Sequence, residues 1–129
     1  MNEKNNTTGA RLKIQARLML DDEIAFGPGK ADLLDAIAAT GSISAAGKQM
    51  GMSYRRTWLL VDSMNRCFQQ PIVETATGGA QGGGTRLTDF GSDVLIRYRQ
   101  LQADLEKISA HYFTEFKPLL RKKPVPPSS

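Results

Sequence analysis

Cysteine and histidine are almost absent from this sequence, which has one of each among its 129 residues. A single thiol, Cys67, excludes an intramolecular disulfide framework and is typical of a reducing compartment. A structural zinc site of the His/Cys type needs four ligands, so Cys67 and His111 cannot assemble one within one chain. We therefore expect no metal and no cofactor, and we expect Cys67 to be a small core or interface residue.

Long apolar runs are missing as well. No segment has the uncharged stretch that a membrane span needs, and the first residues, MNEKNNTTG, lack the apolar part of a signal peptide. The sequence therefore predicts a cytoplasmic protein without membrane contact, whose residues 1–10 are disordered. No serine, cysteine or carboxylate pair has the spacing of a nucleophile and its base, so we expect no enzyme activity.

The chain is basic, with a net charge of +4 and an isoelectric point near 9.4, which favours a polyanionic partner. Residues 117–129, however, hold four basic side chains and no acidic one, so this tail alone equals the net excess. A local count is more informative: from Lys48 to Val73 there are four basic residues against the single acid Asp62. Positive charge therefore concentrates in one central segment, as contact with phosphates requires.

That segment, TGSISAAGKQMGMSYRRTWLLVDSMNR from Thr40 to Arg66, predicts two short helices joined by a tight turn. Ser42 and Ser53 stand where side chains cap helix N-termini, and Gly51 can adopt the positive φ that ends the first helix. Its paired arginines stay exposed at the start of the second helix, which is the layout of a helix-turn-helix that reads DNA. A helical hairpin with solvated arginines is the alternative. The apolar face of the second helix is expected to contain Val61, Met64 and Phe68.

Two β-prone runs, IVE and TRLT, flank a loop TATGGAQGGGT with five glycines between Gly78 and Gly84. Two short strands are unstable alone in water, so they predict a wing that packs on the helices. A glycine-rich loop is also a first indication of a nucleotide site, but no Gly-Lys-Ser/Thr follows it here.

The residues before the helix pair predict a hairpin and a helix. Apolar and polar residues alternate from Leu12 to Leu20 as in a half-buried strand, and Glu23–Phe26 returns as a second strand after a turn at Asp21 and Asp22. Pro28 suits the first turn of the next helix. The apolar face of that helix is expected to contain Leu33, Leu34, Ile37 and Ala38.

A last helix of roughly thirty residues is predicted from near Thr88 and Asp89 onward. From Val94 to Leu119, its apolar residues recur at alternating steps of four and three. Only Glu115 breaks this series. Such a helix leaves an apolar stripe that a small domain cannot cover, so we expect a homodimer. The alternative is a helix packed on its own domain. The expected interface residues are Val94, Tyr98, Leu101, Leu105, Ile108 and Tyr112.

Two consecutive segments resemble the N-terminal DNA-binding domain of the ModE family of molybdate-responsive transcription regulators. They are GSISAAGKQMGMSYRRTWLLVDSMN and IVETATGGAQGGGTRLTDFG. The resemblance covers residues 30–98 and rests on Ser-Ile-Ser, Ser-Tyr-Arg, Met-Asn and Thr-Gly-Gly-x-x-Gly-Gly-Gly in series. More distantly, the segment is similar to the winged helix-turn-helix of LysR-type regulators. Full-length ModE proteins carry C-terminal molybdate-binding domains; the resemblance here is to the stand-alone form, which implies a regulator without that domain.

The expected DNA contacts fall into three sets. The first helix of the pair is placed to hold backbone phosphates, through Ser42, Ser44 and Lys48. The second helix presents arginines that can donate in bidentate fashion to guanine, and its candidates are Ser53, Tyr54, Arg55 and Arg56. The wing candidates are Thr77, Gln81 and Arg86. Trp58 is expected in the core, and not at the rim against the sugar backbone, since large apolar side chains are usually buried.

The expected fold is mainly α with a small β wing. It is a winged helix-turn-helix over residues 11–120, with an N-terminal β-hairpin, a long C-terminal dimerisation helix and a disordered tail at 121–129. The expected function is sequence-specific binding of double-stranded DNA in transcription regulation. Two alternatives stay open: a module responsive to a small oxyanion, molybdate or tungstate, bound by N–H groups of Gly78–Gly84, and a protein-interaction adaptor without DNA binding.

Overall fold

The computed structural model describes residues 9–76 and 84–128 and divides the chain into two compact units. The larger unit spans Gln15–Gln102, and the smaller one combines the residues up to Ile14 with those from Ala103 onward. The elements are, in chain order, β1 (Leu18–Leu20), β2 (Glu23–Phe26), α1 (Pro28–Thr40), α2 (Ile43–Gln49), α3 (Tyr54–Cys67), β3 (Val73–Ala76), β4 (Gly84–Leu87), α4 (Asp89–Phe116) and a short 3-10 helix (Lys117–Leu119).

The predicted hairpin ahead of the first helix is confirmed, but its first strand is much shorter than predicted. β1 and β2 pair antiparallel around a turn in which Asp21 has a φ of 52°. Only Leu18–Leu20 form the first strand, and all three side chains are exposed, so the expectation of a half-buried strand from Leu12 is wrong. The reason is the length of the partner: Pro28 begins α1 soon after β2, which therefore offers only four residues for pairing.

α1 begins at Pro28, as predicted, because the N–H that proline lacks has no helical partner at this position anyway. It ends at Thr40 and is capped by Gly41, whose φ of 69° suits glycine and whose N–H donates to the Ile37 carbonyl at 2.8 Å. Ala38, predicted on the apolar face, is exposed. The other three predicted positions are fully buried, namely Leu33, Leu34 and Ile37.

The core of the larger unit is a cluster of aliphatic and aromatic side chains. Phe26 lies within it, with its ring 5.0 Å from that of Tyr98 and 6.1 Å from that of Phe68, both in edge-to-face contact. Phe68 in turn meets Phe90 at 6.2 Å. Burying a large apolar side chain stabilises a fold by about 1.5–3 kcal/mol, so this cluster fixes the helices against the hairpin.

The predicted wing is confirmed as the antiparallel pair β3–β4, in which Glu74 lies opposite Arg86. The Thr85 N–H donates to the carbonyl of Gly41 at 2.9 Å and so ties β4 to the end of α1. The wing therefore packs on the helices, as two isolated strands must do to persist in water.

The long helix α4 is confirmed, with 28 residues. Thr88 precedes it, and its hydroxyl accepts from the N–H of Gly91 at 2.8 Å, which satisfies a free donor of the first turn. Gly91 is buried against the start of the wing: a Cβ there would lie 2.2 Å from the carbonyl oxygen of Ile72. Only glycine permits this approach of two backbones.

In the smaller unit, the Ser109 hydroxyl, on the last part of α4, donates to the carbonyl of Leu12. The helix ends at Phe116, and Pro118 follows in the 3-10 helix. Leu119, which the sequence pattern placed in the apolar series of the helix, therefore lies beyond it and is 79% exposed.

Candidate nucleic-acid interface

The helix pair predicted from Thr40 to Arg66 is confirmed, and its turn has a defined geometry. The Ser42 hydroxyl accepts from the N–H of Ala45 at 3.0 Å and so caps α2. At the other end Gly51 has a φ of 70°, and the N–H of Met52 donates to the carbonyl of Gly47 at 2.8 Å. This pattern is a Schellman motif, which uses otherwise free carbonyls of α2 to fix the direction of the chain into α3.

α2 and α3 cross at a contact that sequence reasoning missed. A Cβ at Gly47 would lie 2.2 Å from the hydroxyl oxygen of Thr57, which is fully buried and donates to the Ser53 carbonyl at 2.7 Å. Glycine at this position therefore lets the two helices approach closely. The signal was present in the sequence only as a glycine inside a helix, where it otherwise weakens the helix.

One side of α3 faces the core and its first turn is exposed, as the sequence predicts. Val61 and Met64 are buried in the core, and the Ser53 hydroxyl caps the helix by accepting from the N–H of Arg56 at 3.1 Å. Tyr54, Arg55 and Arg56 are exposed at the first turn. The helix N-terminus also carries partial positive charge, so this end attracts anions.

Trp58 departs from expectation: it is 38% exposed and does not belong to the core. Its ring meets that of Tyr54 edge-to-face, with centroids 6.1 Å apart. Thr57 and Val61 occupy the inward positions at this level of α3, so Trp58 is turned outward by the helical repeat.

The cations of the helix pair differ in what they contact. Among residues 9–76 and 84–128, no carboxylate forms an ion pair with Lys48, Arg55 or Arg56, and all three side chains are exposed. Ser44 is exposed beside them on α2. These charges are therefore available to an external anion.

Arg66, also counted in the basic segment, is instead part of an internal network. Its guanidinium forms ion pairs with Glu23 at 2.7 Å and with Asp62 at 2.8 Å, which raise the pKa of Arg66. Hydrogen bonds from Arg66 and from Ser63 lower the pKa of Glu23. Arg66 therefore helps to hold α3 against the hairpin and contributes little to a free cationic surface.

Lys30 lies at the buried side of the same network and was not identified from the sequence. It is 7% exposed, and its ammonium donates to the Ser63 hydroxyl at 2.9 Å and to the Ile24 carbonyl. Burial lowers the pKa of Lys30. The Ser63 hydroxyl donates in turn to Glu23 at 2.9 Å, so one chain of hydrogen bonds joins α1, α3 and β2.

The wing is anchored by a side chain of α3. The Asn65 amide oxygen accepts from the N–H groups of Ile72 and Val73 at 2.8 and 3.2 Å, and its NH₂ donates to the Val73 carbonyl at 3.2 Å. Arg86, a predicted DNA contact, forms an ion pair with Glu74 at 2.7 Å across the strands. The other two wing candidates, Thr77 and Gln81, lie outside the described residues.

The predicted dimer residues occupy different surroundings. Tyr98 lies in the core of the larger unit, where it is 6% exposed, contacts Phe26 and donates its hydroxyl to the Ala16 carbonyl at 2.7 Å. Val94 is half-buried against the same core. Leu101 is 42% exposed, Ile108 47% and Tyr112 50%, whereas Leu105 is half-buried.

Side chains that commonly bind metals are scattered over the part of the chain that the structure describes. That part contains no group of three or more His, Cys, Asp or Glu side chains placed to hold a metal ion. None of the helices described above has both the length and the apolar character needed to cross a membrane.

No family model matches the sequence, but individual relatives do. A molybdenum transport protein ModE of Azotobacter vinelandii is 39% identical over 93 residues, which are 70% of this chain and 34% of the relative. The ModE of Herbaspirillum seropedicae is 47% identical over 70 residues, 54% of this chain and 26% of that one. The DNA-binding transcriptional dual regulator ModE of Escherichia coli K12 is 39% identical over 87 residues, 67% and 31% of the two chains. The chain thus spans about a third of the length of these relatives.

Among solved structures, the DNA-binding domain of CbnR in its complex with DNA superposes with a TM-score of 0.51. The match covers 72% of this chain and 97% of that domain at 16% sequence identity, a similarity that concerns the fold. Helix pair, wing and long helix together make the fold a winged helix-turn-helix. In the segment it shares with the relatives above, the chain is a homologue of the ModE proteins.

Proposed function

We propose that this chain binds double-stranded DNA in a sequence-specific manner, as a transcription regulator, with α3 in the major groove. The observation that carries the proposal is the pair Arg55 and Arg56, exposed and without a carboxylate partner among the described residues, at the N-terminus of the second helix of a helix-turn-helix. Unpaired arginines at a helix N-terminus form a positive surface that is complementary to the negative potential of DNA. A protein-interaction adaptor has no comparable observation in its favour, because a protein partner would have to be acidic at this point.

The two arginines have different tasks in this proposal. Successive residues of an α-helix point about 100° apart, so Arg55 and Arg56 cannot both face the floor of the groove. Arg55 lies on the outward side shared with Trp58 and is the candidate for bidentate donation to guanine. Arg56 lies toward one edge of the helix and is the candidate for a phosphate contact.

α2 supplies the phosphate contacts that set the register. Lys48 and Ser44 are exposed on it, and none of the ion pairs among the residues that the structure describes involves Lys48. Ser42 and Ser53 accept capping hydrogen bonds with their oxygens, and each hydroxyl retains its own proton for donation to a phosphate. Capping and phosphate contact are therefore compatible at both serines.

We also propose that α4 pairs two copies of the chain. In the larger unit it exposes Leu101, and in the smaller unit it exposes Ile108, Tyr112 and Phe116. Exposed apolar side chains repeated along a helix favour association with another helix. Tyr98 is excluded from this proposed contact because its own core already covers it. A response to molybdate or tungstate stays a prediction, since most of the Gly78–Gly84 loop lies outside the described residues.

The affinity for DNA is expected to fall steeply with salt. An operator is first selected from random duplex DNA with the purified chain, and its dissociation constant is then measured at several salt concentrations. Each phosphate contact releases counterions and contributes about −0.9 to the slope of the logarithm of the association constant against the logarithm of the salt concentration. Failure to enrich any sequence, or an affinity independent of salt, would contradict DNA binding through the basic surface of α2 and α3.

Arg55→Ala and Lys48→Ala are expected to weaken binding in different ways. Removal of a bidentate guanine contact costs about 1–3 kcal/mol and relaxes the base preference at one operator position. Removal of a phosphate contact weakens binding to all sequences alike and makes the salt slope shallower by about one for each phosphate released. Competition binding with the operator and with single-base variants separates the two patterns. Identical patterns for both variants would mean that Arg55 does not read bases.

A further inference from the structure

The outward side of α3 is more apolar than DNA binding through charge alone requires. Tyr54 is 62% exposed, Trp58 38% and Leu59 53%, whereas Thr57 and Val61 of the same helix are buried. Three large apolar side chains thus face outward within six residues. Large exposed apolar side chains grouped on one surface, unlike single ones, are typical of a binding site.

These side chains surround Arg55. At 3.6 residues per turn, Tyr54 and Trp58 lie one above the other, Leu59 lies about 100° further round, and Arg55 falls between Trp58 and Leu59. The edge-to-face contact of Tyr54 with Trp58, at 6.1 Å and 69°, restricts the rotamers of both rings. The next outward residue, Asp62, has its charge compensated by Arg66 at 2.8 Å. Arg55 therefore has the paired rings of Tyr54 and Trp58 on one side and Leu59 on the other.

The charge around this surface favours DNA over an apolar protein partner. A protein covering Trp58 and Leu59 would also desolvate Arg55, which is costly for an unpaired guanidinium. The major groove, in contrast, surrounds the cation with acceptors. Its one apolar group is the C5 methyl of thymine, which apolar side chains are known to contact.

We propose that Trp58 and Leu59 read thymine methyl groups in base pairs adjacent to the one that Arg55 contacts, with Tyr54 positioning the Trp58 ring. The proposal rests on DNA binding through α3 and adds a specificity: operators of this chain contain thymines whose methyl groups contribute to affinity. The recognition helix thus reads one base by hydrogen bonds and its neighbours by apolar contact.

The test uses the full chain and its selected operator, in which each thymine is replaced singly by deoxyuridine, which lacks only the methyl group. Burial of one methyl group contributes about 0.8 kcal/mol. We therefore expect the loss of one methyl to lower the affinity roughly three- to fivefold at one or more thymine positions. In Trp58→Ala or Leu59→Ala, the same replacement at the position that the missing side chain reads is expected to have no further effect, because contacting partners are not additive.

Lys48→Ala is the matched control: it is expected to bind all duplexes more weakly and to keep the deoxyuridine effect. Trp58→Phe retains an apolar ring and is expected to keep part of the effect, which guards against misfolding as the explanation. Salt-dependent binding without sensitivity to any thymine methyl overturns this inference and leaves the proposed function intact. A deoxyuridine effect that persists in both alanine variants overturns it as well, whereas absence of any DNA binding removes the proposed function itself.

Discussion

Gly91→Ala is expected to lower the free energy of unfolding by about 1–3 kcal/mol, as forced overpacking of a dense interior typically does. The added Cβ would lie 2.2 Å from the carbonyl oxygen of Ile72 and 2.9 Å from its carbonyl carbon. Both are backbone atoms, and Ile72 is fully buried, so no side-chain rotation relieves the contact. The start of the wing must move away from α4. Urea denaturation followed by circular dichroism measures the change.

Gly29→Ala is the matched control, since Gly29 also lies in the first turn of a helix but has nothing within 4 Å of an added Cβ. Alanine is favoured over glycine in a helix by roughly 0.5–1 kcal/mol, so this variant is expected to be as stable as the wild type or more so. Equal effects of the two substitutions would show that α4 and the wing do not make the close contact.

Local signals allowed the helix-turn-helix to be predicted from the sequence. Ser42 and Ser53 accept hydrogen bonds from backbone groups three residues away, and Gly51 closes a turn with its immediate neighbours. The wing hairpin and the start of α4 near Thr88 also follow from patterns in neighbouring residues. Such features depend on a few consecutive residues, whose local preferences agree with the fold as a whole.

The features that the sequence did not reveal are contacts between different parts of the packed fold. Glu23 and Arg66 are 43 residues apart, so nothing in the pattern of α3 indicates that Arg66 is ion-paired. Gly91 meets Ile72 and Gly47 meets Thr57 through approaches that only the packed helices define. Trp58 was misassigned for a related reason: a preference for burial is an average over positions, and the helical repeat turned this side chain outward.

Leu105→Glu is expected to shift the chain toward the monomer and to weaken operator binding. In a dimer paired through α4, each copy would place an unpaired carboxylate in the apolar contact, and burial of such a charge is strongly unfavourable. Two linked half-site contacts would then act independently. Without their effective concentration, the apparent affinity falls by a factor on the order of 10²–10⁴. Sedimentation velocity and titration of the selected operator measure the two effects on one preparation.

Ala103→Glu distinguishes loss of pairing from a general effect of charge on α4. Ala103 is exposed and lies two residues before Leu105, about 200° away around the helix and so on its other side. This variant is expected to keep the oligomeric state and the operator affinity of the wild type. If Leu105→Glu also sedimented as the wild type does, α4 would not be the pairing element. The exposed Leu18–Leu20 strand would then be the next apolar surface to test, since an exposed edge strand can pair with a second copy.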